Sequence, residues 1–161
     1  MTELKLSIVW QGPYTPEQVI AQLNDGGSPP GYDGEDYGLY QIYGKHILGD
    51  PDALLYIGKA TEQTFSERFE YHLTWLVDED PVRVYVGRLY MPRRHTSHDD
   101  WATWTSDILL AEHVLIYKYS PHYNSNSIAD LPKLDGHDKV VLLHEGHKNR
   151  IHRRDVAPDD W

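Results

Sequence analysis

Cysteine is absent from the 161-residue sequence, which excludes disulfides and thiolate chemistry and suits a reducing compartment. Long apolar runs are absent too: no stretch approaches the roughly 20 residues that cross a bilayer. The opening segment MTELKLSIVW lacks the basic start and apolar run of a secretory leader. These absences lead us to expect a cytoplasmic protein with no membrane contact. Positive charge is scarce, with 25 Asp and Glu against 15 Lys and Arg and a net charge of −10. That argues against a generic nucleic-acid binder, which carries a broad positive field. Phenylalanine is nearly missing, at two residues, whereas there are twelve Tyr and five Trp. Tyr and Trp keep a polar handle, so this bias suits contact surfaces and semi-exposed packing more than a dry core.

What charge there is has an uneven distribution. Residues 1–36 hold six acidic side chains and one Lys, and residues 37–137 hold fourteen against nine Lys and Arg. Residues 138–161 balance at five each, with the cations gathered in HKNRIHRR (147–154). A polyanion would be held locally, with little long-range steering. The length fits one domain that buries roughly two-thirds of its unfolded surface.

Read along the chain, LKLSIVW is a strand, and TPEQVIAQL is a short helix with Pro in its first turn. NDGGSPPGYDGED is a loop by composition. YGLYQIY and ALLYIGKA are β-type runs joined as a hairpin, and TFSERFEYHLTWLV is a helix with Phe65, Phe69, Leu73 and Leu76 in one stripe. VRVYVGRLYM is a further strand and PRRHTSHDDWATW a loop. SDILLAEHVLIYKYS is a second core helix, capped by Ser106 or Thr105 and closed by Pro121. KVVLLHEGHKNRIHRR reads as a strand, a turn at Glu145–Gly146 and a second strand. The expectation is an α/β domain with a central, mainly antiparallel three-stranded sheet flanked by helices over 37–125. A β-α extension (1–36) precedes it and a β-hairpin extension (126–161) follows.

Three features stand out chemically. Glu112 falls within about 40° of Ile108 on a helical wheel, inside the apolar stripe, where a carboxylate is costly unless paired or bound to a cation. Arg68 and His72 are i, i+4 neighbours on the edge of the other helix's stripe. Tyr40 and Tyr56 stand on neighbouring strands, each near a Gly that leaves room for a ligand or another backbone. A tyrosine hydroxyl, with an ordinary pKa near 10, is a poor base unless cations lower that value. Each feature alone has an ordinary structural reading, as an ion pair, a helix-face pair or two packing aromatics.

Taken in order, the residues resemble the GIY-YIG nuclease superfamily of homing, restriction and repair endonucleases. Gly38-Leu39-Tyr40 matches the first motif with Leu for Ile, and Tyr56-Ile57-Gly58, followed by Lys59, matches the second. Arg68 and His72 match the motif helix, Glu112 the later helix, and Asn124 the position after a Pro in SPHYN. The resemblance covers about residues 37–125. It implies a metal-dependent DNA endonuclease with one Mg²⁺ or Mn²⁺ per active site, held by Glu112, and no small-molecule cofactor. It further implies Tyr40 as general base, with Tyr56 or His72 assisting, Arg68 stabilising the pentavalent phosphate, and Asn124 ordering a helix end or touching the substrate backbone. The best phosphate-contact candidates are Lys59, Arg93, Arg94, Lys148, Arg150, Arg153 and Arg154. One such site cuts one strand at a time, so double-strand cleavage requires a homodimer or two successive events.

Other constellations carry less. HEGHKNRIH lacks the helical i, i+4 His pair of a zinc protease, HTSHDDW reads as a polar loop, and GYDGEDYG lacks the ligand spacing of a calcium loop. The alternative to an enzyme is a non-catalytic module that binds nucleic acid or protein in the same groove, consistent with the acidic net charge and the Tyr and Trp surplus.

Overall fold

A computed structural model of the chain describes residues 3–25, 36–45, 52–76, 81–89, 101–124, 134 and 136–158. The elements in order are β1 (Glu3–Tyr14), α1 (Pro16–Gln22), β2 (Gly38–Gly44), β3 (Ala53–Ala60), α2 (Phe65–Leu76), β4 (Arg83–Leu89), α3 (Trp101–Tyr119), β5 (Lys139–Gly146) and β6 (Arg154–Ala157). The strands form one six-stranded sheet in the order β3-β2-β4-β1-β5-β6. All neighbours pair antiparallel except β1 and β5, which run parallel from Glu3↔Lys139 to Trp10↔Gly146.

The fold is therefore α/β as expected, but the three-stranded sheet is corrected to a six-stranded mixed one. The antiparallel triplet β3-β2-β4 exists, yet β4 does not end the sheet. β1 binds its free edge and extends the ladder into β5 and β6. The reason lies in β1 itself, where Leu4, Leu6, Ile8 and Trp10 alternate with more exposed residues and are all buried. A strand with such an apolar face is stable only inside a sheet that already has a core on that side.

The sheet is covered on two faces. Leu39, Tyr43, Ile57 and the even-numbered face of β1 meet α3 through Ile108, Ala111, Val114 and Leu115. Tyr40, Ile42, Val84 and Val86 meet α1 and α2 through Val19, Leu23, Phe65 and Phe69. Strand β2 lies between both layers and is buried at every residue. Each fully buried Phe contributes about 2–3 kcal/mol of apolar transfer energy.

Local signals fix the helix starts. Thr15 caps α1 in a reciprocal capping box with Gln18. Thr64 and Glu67 make the same exchange at the start of α2. Helix α2 is also tied to the N-terminal segment, by Ser66 donating to Ile20 O at 2.6 Å and by Phe65 N to Asp36 O at 2.9 Å. Helix α3 begins at Trp101, earlier than expected, so Thr105 and Ser106 lie inside it and do not cap it. In the C-terminal hairpin, β5 runs through Gly146 and the second strand starts only at Arg154. Gly146 has φ +78° and a Cβ there would lie 2.3 Å from Trp10 O, so the close approach of β1 holds the strand through this residue. HKNRIHRR is mostly the connection, anchored by buried Ile151.

No helix among the described residues is long and apolar enough to cross a membrane.

Candidate active site

Strand pairing creates the aromatic heart of the site. Tyr40 lies opposite Gly58 in the β2–β3 ladder. A Cβ on Gly58 would sit 2.4 Å from Tyr40 Cζ and the hydroxyl, so the glycine of the YIG triplet is the space that the ring fills. The other glycine answers to β4: Gly38 has φ +148°, and a Cβ would lie 2.2 Å from Gly87 O. The Tyr40 ring is fully buried, edge-on to Phe69 at 5.0 Å and stacked against half-buried Tyr56 at 6.0 Å.

Helix α2 delivers Arg68 and His72 to the Tyr40 hydroxyl from one side, as the i, i+4 spacing anticipates. His72 Nε2 lies 2.6 Å from that hydroxyl, and Arg68 Nε donates to it over 3.3 Å. Arg68 also bonds the Tyr56 hydroxyl. Burial, and then the Arg68 charge, push the His72 imidazolium pKa down to about 4. The ring is thus neutral at pH 7 and able to accept the Tyr40 proton at Nε2. Burial, and then neighbouring Tyr56, hold the Tyr40 phenol well above its ordinary range, and Arg68 only partly offsets this. Tyr40 is therefore a neutral phenol in this arrangement, in hydrogen-bond contact with His72.

From Arg68 the site opens into a cleft of about 710 Å³ between α2, the end of β3 and α3. Lys59, Arg68, Tyr71, Thr105, Leu109 and Glu112 line it, with the exposed Glu62 at its rim. Glu112 is half-buried, and burial pushes its carboxyl up to about 7 against the pull of Lys59 and Arg68. The charge in the apolar stripe therefore has cations facing it from β3 and α2.

Among the described residues no three His, Asp or Glu side chains gather as a metal-binding group. The donor set of the cleft nevertheless fits one hard ion. Mg²⁺ keeps several waters and needs only one or two carboxylates beside a substrate phosphate.

Asn124 is placed differently from Glu112. Its Oδ1 accepts from Ile57 N at 2.9 Å and its Nδ2 donates to Ile57 O at 2.8 Å, so both ends of the amide are spent on the outer edge of β3. With Tyr123 N bonded to Leu55 O, the segment after α3 lies along that edge and closes it.

The C-terminal cations are not at the cleft. Arg150 N donates to Tyr43 OH, and Lys148 O accepts from Gln41 Nε2 at 3.3 Å. Gln41 and Tyr43 project from the face of β2 opposite Tyr40. Arg153 and Arg154 are exposed beside β5. Arg93 and Arg94 lie outside the described residues, as do residues 95–100 of HTSHDDW and residues 31–35 of GYDGEDYG.

Two groupings were not read from the sequence. One is the cleft wall of Tyr71, Thr105 and Leu109, whose exposure depends on where α2 and α3 lie. The other is a buried network. Trp10 Nε1 donates to His144 Nδ1 at 3.0 Å, and His144 Nε2 lies 2.9 Å from Asp155 Oδ2. Tyr119 OH donates to the same carboxylate at 2.9 Å, and Lys118 approaches it at 3.2 Å. The indole is a donor only, so the imidazole proton sits on Nε2 and points at Asp155. No sequence pattern announces it, because its members lie on β1, α3, β5 and β6.

Comparison of the chain with protein-family models, with curated proteins and with solved structures finds no match.

Proposed function

We propose that the protein is a metal-dependent endonuclease of the GIY-YIG type that hydrolyses DNA phosphodiester bonds in this cleft. The observation that carries the reading is the hydrogen-bonded set Tyr40–His72–Arg68 opening toward Glu112 across a cleft large enough for a nucleotide.

Arg68 binds the scissile phosphate, and its guanidinium offsets the charge that develops on the phosphoryl oxygens. Its contact with Tyr40 is long at 3.3 Å, so moving onto the phosphate costs little and frees a lone pair of the hydroxyl. Tyr40 takes a proton from the attacking water as its own proton passes to His72 Nε2, a transfer that spares a buried phenolate. The water oxygen adds to phosphorus and the bond to the leaving oxygen breaks. Glu112 would hold a Mg²⁺ or Mn²⁺ ion, which would supply charge neutralisation for the phosphoryl transfer. Lys59 adds a second positive charge at the floor. Asn124 serves by fixing the β3 edge that carries Tyr56, Gly58 and Lys59.

The second reading is a non-catalytic binding module. The full burial of Tyr40 favours it, since a base must meet its water. Supercoiled-plasmid cleavage with Mg²⁺ or Mn²⁺ decides between them, comparing the unaltered protein with Glu112→Ala and Tyr40→Phe. The expected result is nicking that each substitution lowers by about 10²-fold or more. Equal cleavage by all three would mark a contaminant and remove this site as the source. Absence of cleavage on plasmid, single-stranded and branched DNA alike would leave the binding module.

A further inference from the structure

The cleft is larger than phosphoryl transfer requires. A phosphate and one ion fill a small part of about 710 Å³, a volume in the range of sites that enclose a drug-sized organic ligand. Its unused wall is open and carries two large apolar side chains among polar ones. The exposed large apolar side chains among the described residues are Tyr71 at 64%, Leu109 at 38% and Tyr123 at 37%, and the first two line this one cleft.

Their placement repeats on the two helices. Tyr71 stands three residues after Arg68 on α2, and Leu109 three residues before Glu112 on α3, so each exposed side chain shares a helix face with a charged residue of the cleft. One turn before Leu109, Thr105 also lines the cleft, and its buried Oγ1 has no hydrogen-bond partner among the described residues. Threonine in a helix has two accessible χ1 rotamers, so a rotation exchanges methyl for hydroxyl at the cleft wall.

An aromatic ring on α2 and an aliphatic side chain on α3, lining one cleft with Lys59 and Arg68, match a nucleotide: a flat ring joined to a phosphate. A base inside a duplex is stacked on its neighbours and presents only its edges, whereas an unpaired base offers its face. The net charge of −10 leaves little general attraction for duplex DNA, so stacking has to supply much of the affinity. We propose that the cleft binds an unpaired DNA nucleotide beside the scissile phosphate, its base stacked on Tyr71 with Leu109 across from it and its polar edge within reach of Thr105 Oγ1. The location of the scissile phosphate rests on the nuclease reading; the binding of the base does not.

The test is binding without cleavage. A short single strand carrying 2-aminopurine is titrated with the full chain in EDTA, alongside the same strand annealed to its complement. The single strand is expected to bind at least about tenfold more tightly than the duplex, with its fluorescence quenched by stacking. Tyr71→Ala should weaken binding by about 5- to 100-fold and abolish the quench. Tyr71→Phe, which keeps the ring, should retain both. Thr105→Val should weaken binding by about 2- to 10-fold. Because Tyr71 is exposed, unchanged thermal melts will separate lost stacking from misfolding. Equal affinity for single strand and duplex, absence of quenching, or no effect of Tyr71→Ala overturns the proposal. Plasmid cleavage without quenching leaves the nuclease reading standing and removes this proposal. Quenching in a protein that cuts nothing supports this proposal and removes the nuclease reading.

Discussion

At the scale of single residues, Glu112 has the most directly testable chemistry. Burial raises its carboxyl from an ordinary 4.5 to about 7, so the folded chain holds a proton that the unfolded chain releases between those values. Stability therefore falls as pH rises through that window and is level above it. Glu112→Gln removes the buried charge, and at pH 8 without divalent ions it should melt higher by about 2–4 °C for each kcal/mol regained. Near pH 4 the two proteins should melt together, and identical melts at pH 8 would show that Lys59 and Arg68 already neutralise the charge. The same group sets the pH dependence of the proposed activity. Protons compete with the cation, so at subsaturating Mg²⁺ cleavage should rise with pH up to about 7 and then flatten, and saturating Mg²⁺ should move that rise to lower pH.

The element that most directly positions the site is the edge strand β3. It carries Tyr56, Gly58 and Lys59, with β2 as its strand neighbour among the described residues, and the segment after α3 bonds its outer backbone at Leu54, Leu55 and Ile57. Asn124→Ala would leave Ile57 N and O without the partners they have at 2.9 and 2.8 Å. The expected cost is about 1–3 kcal/mol in urea unfolding, with faster hydrogen exchange at the Ile57 amide. Unaltered exchange at that amide would show that the clamp contributes nothing. The helix caps behave as their sequences suggest, since Thr15–Gln18 and Thr64–Glu67 act over four residues and need no tertiary partner. The start of α3 lies earlier than the Thr105 or Ser106 cap expected, at Trp101, directly after Asp100, a residue type that suits an N-cap, and Trp104 and Ile108 are buried within it.

At the scale of the whole molecule, the buried Trp10–His144–Asp155–Tyr119 network joins the first strand to the last two and to α3. Burial opposes the charge on Asp155, but hydrogen bonds from His144 and Tyr119 and the nearby Lys118 ammonium outweigh it and hold the carboxyl below its ordinary 3.8. A depressed carboxyl stabilises above the unfolded value, and that contribution is lost as pH falls through the folded one. Asp155→Asn should therefore destabilise the protein by about 3 kcal/mol at pH 7, and the gap should close as pH falls below about 4. A pH-independent gap in the melting curves would mean that shape rather than charge matters there.

Most elements, and the membership of the central cluster, were legible in the sequence because they rest on short-range rules. β-type runs marked β1 to β5, and a first-turn Pro and an apolar stripe marked α1 and α2. The i, i+4 spacing of Arg68 and His72 put both on one face, and the wheel put Glu112 among apolar neighbours; the geometry brings Tyr40, Tyr56, Arg68, His72, Lys59 and Glu112 to one region. Other features depend on contacts between segments distant in the chain. The pairing of β1 with β4 and β5, the use of Asn124 on a strand edge, the remoteness of HKNRIHRR from the cleft and the exposure of Tyr71 and Leu109 are of this kind. Local pattern determines which face of a strand or helix is apolar. Only the tertiary arrangement decides which other face it meets, since many pairings bury similar area and the final choice is made by close fits such as Tyr40 over Gly58 and Trp10 against Gly87.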